Sequence, residues 1–370
     1  MSRRARATID VTAIERNART LCGHLAPSTK LCAVVKANGY GHGARQAAQA
    51  SLAGGATWLA VATAHEAAEL RQDHADVPIL VLGPLDEDGL AIAIDSRAEL
   101  VAWTPDFVRH ISAVASGREM AVHIKLDTGM GRWGARGLAA AVEIATLIEA
   151  LPALRLTGLM THFANADETS SDFFDEQLSS FSAVVGELRR AHPHLIVHAA
   201  NSAATLRDAR AHFDMVRCGI ALYGLDPYQH DPRDWQLLPA LELTSYVAQI
   251  ALMEPGDSVG YGRAFTALSP TNIATVPIGY ADGVRRVLDS SIEVLIGGQR
   301  RAVAGNVSMD CLAVDLGTTS DVRVGDEVIL IGGSGSERIF AEEVAMKYGT
   351  INYEVVCALS ERVERSYLGR

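Results

Sequence analysis

From about residue 30 to 220 the chain alternates between two textures, and no other feature constrains its fold as strongly. Short apolar runs lie at Leu31–Val35, Trp58–Ala62, Val77–Leu82, Met120–Leu126, Leu154–Met160, Leu195–His198 and Phe213–Arg217, with a weaker one at Leu100–Trp103. Between them lie alanine-rich amphipathic stretches at Ala44–Ala53, Ala64–Arg71, Leu138–Glu149 and Phe173–His192, which read as helices. Strand and helix in alternation imply a parallel sheet. Eight strand candidates fit a closed (β/α)8 barrel, so the fold class is α/β with an N-terminal TIM-type barrel. An open doubly wound sheet competes, but no GxGxxG follows the first strand candidate, which weakens its dinucleotide-binding form.

After about Leu237 the texture changes. Alternating β-rich runs appear at Leu243–Leu252, Thr271–Gly279, Ile292–Ile296, Arg301–Val307, Cys311–Leu316 and Glu327–Ile331. VRVGDEVILIGG reads as strand, tight turn and strand. A barrel domain over residues 1–235 and a mostly-β domain over 236–370 are expected, joined by the polar segment Tyr228–Leu238. The first strand, at about residues 3–10, could pack with the second domain.

Composition narrows the function classes. The net charge of −11 disfavours a nucleic-acid partner, because a phosphate backbone needs basic surface. Five cysteines without CxxC spacing suggest neither a disulfide framework nor a zinc knuckle. No uncharged run is long enough for a membrane span, and the basic start MSRRARATIDV lacks the apolar core of a secretory signal. A cytoplasmic location is expected.

In a barrel, the C-terminal strand ends carry the active site. Those ends supply Lys36, the stretch Lys125–Arg132, His162, Asn201-Ser202 and Arg217-Cys218-Gly219. A lysine at a strand end can form a Schiff base if burial lowers its pKa, or it can simply snorkel to water. Gly39, Gly41 and Gly43 would let backbone approach a ligand closely. The loop at Arg217–Ile220 occupies the usual phosphate seat of this architecture. Schiff-base lysine plus phosphate seat suits pyridoxal 5′-phosphate (PLP). It equally suits a phosphosugar aldolase. Taken singly, His162 is an ordinary core histidine, Tyr261 a turn aromatic, Arg132 a surface arginine and Met309 a core methionine.

VVKANGYGHG, however, resembles the PLP-lysine signature of the alanine racemases, fold-type III PLP enzymes. KLDTGMGRWG (125–134), GLMTHFANAD (158–167), ANSAATL (200–206), RCGIALYG (217–224), VGYGRAF (259–265), VPIGYADGVRR (276–286), GNVSMD (305–310) and INYEVVC (351–357) match further family motifs, in order, over nearly the whole chain. The resemblance implies that Lys36 holds PLP and that Tyr40, Ser202, Gly219, Ile220 and Tyr353 hold its phosphate. It places Arg217 at the pyridine nitrogen and His162 against the ring. Arg132 and the backbone of Met309 take the substrate carboxylate, and Tyr280 and Arg286 line the entrance. Lys125 matches a lysine often carbamylated in the family.

The implied reaction is racemisation of L- to D-alanine, a peptidoglycan precursor, by a homodimer with composite sites. Lys36 and the partner subunit's Tyr261 are the two bases, so no single base has to cross the cofactor. Arg217 carries the most discriminating argument. An arginine can only donate, so it leaves the ring nitrogen unprotonated and the electron sink weak. That favours a racemase over a decarboxylase. A serine or broader-specificity racemase is an alternative, as is a non-catalytic PLP-binding protein, although such proteins lack the β domain. Asn306 and Ser308 depart from the arginine and cysteine common in the family.

Overall fold

The computed structural model describes residues 4–286 and 292–369. They form two compact units. One comprises Ile14–Leu222 with Trp235–Leu237; the other comprises the chain up to Ala13, Tyr223–Asp234 and Leu238 onward.

The first unit is a closed barrel of eight parallel strands: Lys30–Val34, Trp58–Val61, Ile79–Val81, Glu99–Ala102, Met120–Lys125, Leu154–Met160, Ile196–His198 and Met215–Cys218. Closure is direct, with Leu31 opposite Val216 and Cys32 opposite Arg217. Barrel strands are covered on both faces, so their sequences read as unbroken apolar runs. Trp58–Val61 and Ile79–Val81 are buried throughout.

Helix starts follow local chemistry. Thr63 and Glu66 form a capping box. Asp86 accepts from Gly89 N, and Thr104 accepts from Phe107 N with Pro105 in the first turn. The helices Glu87–Asp95 and Pro105–Ala115 were not among the expected ones. Both carry the caps just named, a signal that apolar spacing alone passes over.

The second unit holds a seven-stranded sheet. Its order is Gln299–Ala302, Glu293–Ile296, Glu327–Ser334, Leu241–Tyr246, Arg6–Asp10 and Glu364–Leu368, with Glu337–Ile339 paired to Glu327–Ser334. Arg6–Asp10 is antiparallel to Leu241–Tyr246 and parallel to Glu364–Leu368. Gln249–Met253, Thr271–Val276 and Leu312–Gly317 make a separate three-stranded sheet.

Three expectations change here. Leu243–Leu252 is two strands in different sheets, because Val247 N turns to Asp326 O while Ala248 N bonds Thr275 O. Alternation continues across such a corner, so the sequence does not mark it. The extended run at Arg301 ends at Ala302, and beyond it only Val303 bridges Val314. Val322–Val324 is not a strand: Arg323 N bonds the Asp326 carboxylate and closes a turn.

Candidate active site

Lys36 stands just beyond the first barrel strand, half-buried. The next residues reverse the hand of the backbone. Ala37, Asn38, Gly39 and Tyr40 have φ of 53°, 51°, 61° and 51°. Such a left-handed turn costs roughly 1–2 kcal/mol for each non-glycine residue, so other groups must hold it. Glu66 accepts from Ala37 N (2.7 Å) with one oxygen and from Ala62 N (2.8 Å) with the other. Asn38 accepts from Ala44 N at 3.0 Å.

This turn brings Tyr40 back against the last barrel strand. A Cβ on Gly219 would lie 2.4 Å from the Tyr40 hydroxyl oxygen, so Tyr40 can hold this position only against a glycine. Ser202 Oγ accepts from Gly219 N (3.0 Å) and Ala221 N (3.4 Å). Two hydroxyls and a backbone segment with no side chain between them thus form a small polar cradle, which ends at buried Ile220.

Beside the cradle lies a cluster of cations. Arg217 is buried. Its Nη2 donates to Thr161 O (2.9 Å), Ala199 O (3.1 Å) and His162 Nδ1 (3.2 Å), and its Nη1 donates to His198 Nδ1 (3.0 Å). Burial lowers its pKa to about 10, still high enough to keep the charge at neutral pH. Burial, then Arg217, Lys125, Arg132 and Lys36, hold His162 well below the usual imidazole value. His162 is therefore neutral, and because Nδ1 accepts from Arg217 its proton sits on Nε2.

Lys125 is pushed down to about 8 by burial and by Arg132, Arg217 and Lys36. Its ammonium and the Arg132 guanidinium both lie over the Trp133 ring, 5.4 and 5.1 Å from the centroid. Asp127 shapes the loop between them by accepting from Gly129 N (3.1 Å) and Gly131 N (2.9 Å). The cluster attracts anions, and the cradle beside it suits a phosphate. The residues present thus fit the ring, phosphate and carbonyl carbon of PLP.

Tyr261, Met309, Tyr280, Arg286 and Tyr353 belong to the other unit. Tyr261, Met309 and Tyr280 are 71%, 51% and 44% exposed, high values for large apolar side chains. Arg286 is exposed and Tyr353 half-buried. Their backbones are nonetheless tied down. Asn306 Nδ2 donates to Tyr261 O at 2.9 Å. Tyr280 N and Ala281 N donate to Ser308 O and Met309 O at 3.0 and 3.1 Å. A Cβ on Gly279 would sit 2.2 Å from Ser308 O, so the two loops meet backbone to backbone. Arg4 grips buried Asp282 with two hydrogen bonds of 2.8 and 2.7 Å, and Arg362 holds Asp310 at 2.6 Å.

Residues 9–227 match the family model for the alanine racemase N-terminal domain, and residues 240–367 match that for its C-terminal domain. The chain belongs to the alanine racemase family. An alanine racemase of Desulforamulus reducens is 40% identical over 367 residues, covering 98% of each chain. The crystal structure of alanine racemase from E. faecalis superposes with a TM-score of 0.93 at 36% identity, covering 99% of this chain and 98% of that one. The alanine racemase of D-cycloserine-producing Streptomyces lavendulae gives 0.94 at 34%, covering 100% and 98%. This chain is accordingly an alanine racemase, an isomerase of alanine.

Several residues that shape the racemase site escaped the sequence reading. Glu66 lies in a stretch expected only as an amphipathic helix, yet it caps that helix and also pins the lysine turn. Buried Gln177 accepts from Ala164 N (2.9 Å) and donates to Thr128 Oγ1 (3.2 Å) from a helix read only as amphipathic. Arg4 looked like part of a basic tail, and only tertiary contact gives it Asp282. Trp133, inside KLDTGMGRWG, carries no role from spacing alone, yet its ring lies under both Lys125 and Arg132.

Proposed function

We propose that this enzyme racemises alanine with PLP by a two-base mechanism, as a homodimer in which each site takes Lys36 from one subunit and Tyr261 from the other. One observation carries the reading. At the C-terminal rim of the barrel, Lys36 adjoins a glycine-floored hydroxyl cradle and a group of cations around neutral His162. When bound, PLP supplies the electron sink that acidifies the alanine Cα–H.

Every other task falls to the chain. Tyr40, Ser202, the backbone at Gly219 and Ile220, and Tyr353 hold the phosphate. Arg217, always a donor, faces the pyridine nitrogen. Arg132 and the Met309 N–H of the partner subunit bind the substrate carboxylate, and Tyr280 and Arg286 line the way in. The Lys36 amine takes or returns the Cα proton on one face; the phenolic oxygen of the partner subunit's Tyr261 does so on the other. A phenol with a pKa near 10 needs a donor or cation beside it to act at neutral pH. The His162 Nε2–H, backed by Arg217, is suited to that task.

Lys125, with a substantial neutral fraction near pH 8, is suited to take up carbon dioxide as a carbamate, with loss of a proton. An anion beside Arg132 would then replace a repulsive cation. Asn306, in place of the common arginine, keeps a structural task as the cap on the Tyr261 carbonyl. The product is D-alanine for peptidoglycan. A cytoplasmic location is supported by the lack of any disulfide, and of any helix long and apolar enough to cross a membrane, among the described residues.

The test is a chiral assay of purified protein with L-alanine, L-serine and L-lysine, with and without PLP. Turnover of L-alanine only with PLP is expected. PLP binding without alanine turnover would sink the reading.

A further inference from the structure

The Arg217 guanidinium is buried, and no carboxylate is among its hydrogen-bond partners. A buried charge normally needs compensation. Here a chain of side chains leads away from it through the barrel interior. Arg217 Nη1 meets His198 Nδ1 at 3.0 Å, His198 Nε2 meets His123 Nδ1 at 2.8 Å, and His123 Nε2 meets Glu99 Oε2 at 2.9 Å. Glu99 opens the fourth strand, at the end of the barrel opposite the rim; Arg217 lies near the rim on the eighth.

The chain has a single direction. Arginine can only donate and a carboxylate can only accept. Two neutral imidazoles between them then have one consistent assignment: His198 and His123 each carry their proton on Nε2 and accept at Nδ1. Both imidazoles are buried, and burial with the Arg217 charge holds His198 well below its ordinary pKa, hence neutral. The geometry is built rather than incidental. Gly158, in the middle of the sixth strand, leaves the space for His123: a Cβ there would lie 2.0 Å from His123 Nδ1. Trp58 meets the His123 ring edge-on at 5.8 Å, and Thr157 Oγ1 donates to Glu99 Oε2 at 3.3 Å.

We propose that Glu99 is a remote positioning residue of the racemase site, which fixes the tautomers of His123 and His198 so that His198 Nδ1 stays an acceptor and holds the Arg217 guanidinium in place at the rim. A carboxylate behind an imidazole is a known way to set which nitrogen faces the reacting centre. Here the effect passes through two imidazoles, and hydrogen bonds in such chains polarise one another. The inference rests on the PLP reading for its functional meaning, but its geometry does not depend on the cofactor.

The experiment therefore has two arms. Histidine 15N resonances of the full-length protein are recorded without and with PLP, for wild type, Glu99→Gln and Glu99→Leu. In wild type both histidines are expected to show an acceptor-type Nδ1 and a protonated Nε2. Glu99→Gln retains an acceptor and should keep both tautomers, with kcat within about twofold of wild type. Glu99→Leu should mix the tautomers and lower kcat about tenfold, as loss of an outer hydrogen-bonding partner commonly does, with KM for alanine little changed. A proton on Nδ1 of either histidine in wild type overturns the proposal. So do unchanged tautomers and kcat in a folded Glu99→Leu variant. If that variant does not fold, the wild-type and Glu99→Gln spectra decide. PLP absorbance on the same samples shows separately whether the cofactor reading fails.

Discussion

The barrel rim and the exposed loops of the β unit solve the problem of placing reactive side chains in opposite ways. At the rim the side chains themselves are held. Arg217 is buried and bonded through both terminal nitrogens, His162 is neutral because burial and then the cations around it hold its pKa down, and Tyr40 lies against Gly219. In the loops carrying Tyr261 and Met309 the backbone is held while those two side chains stay exposed. Arg4, Arg362 and Asn306 fix the loops, while Tyr261 and Met309 stay 71% and 51% exposed. Buried groups can be tuned because desolvation magnifies every charge near them. Exposed ones need a surface from elsewhere, which in the proposed dimer comes from a second copy.

The comparison breaks most visibly if the two halves do not complement each other. Lys36→Ala and Tyr261→Phe variants should each lose nearly all activity. After random subunit exchange, about a quarter of sites should regain both bases, since each mixed C2 dimer has one intact and one doubly defective site. No recovered activity after verified exchange would mean that each site is built from one chain.

Gly219→Ala probes the rim next. Its Cβ would lie 2.4 Å from the Tyr40 hydroxyl, so one of the two must move. PLP affinity is expected to fall about 10- to 100-fold, the loss of about one good hydrogen bond to a charged group. An absorbance titration with PLP reads this, and unchanged affinity would show that the cradle does not hold the phosphate.

Stability against pH separates the units differently. His162 and His198 are held below their unfolded value near 6.5, so the unfolded chain binds protons that the folded barrel refuses. Stability should therefore fall as pH drops below about 6.5, at up to about 3 kcal/mol per pH unit for two protons. These groups contribute no pH dependence above about 7.5. Urea midpoints of cofactor-free protein at pH 7.5, 6.5 and 5.5 measure it; a flat profile would mean that the histidines are protonated or solvated in the fold.

The smallest effect should come from Arg4→Ala. It removes two hydrogen bonds from buried Asp282 and loosens the loops carrying Tyr280 and Met309. A loss of about 1–3 kcal/mol in stability is expected, with kcat/KM for alanine reduced and PLP affinity unchanged. Reduced PLP affinity in this variant would blur the division between a preset rim and clamped loops.

The alternation of apolar runs and helices, the late β-rich texture and the position of Lys36 at a strand end were all legible in the chain. Each depends on periodicity and composition, which are local properties. Ordered motifs located the candidate residues as well, because spacing along a strand–loop–helix unit is also local. Three things needed the tertiary structure. The left-handed turn after Lys36 depends on a carboxylate 29 residues away, at Glu66. The clamp on the Tyr280 loop joins Arg4 to Asp282 across 278 residues. The Glu99–His123–His198–Arg217 chain joins four barrel strands that are far apart in sequence. Sequence alone determined which residues could do chemistry. Folding decided which of them are desolvated together, and desolvation sets the protonation states on which that chemistry depends.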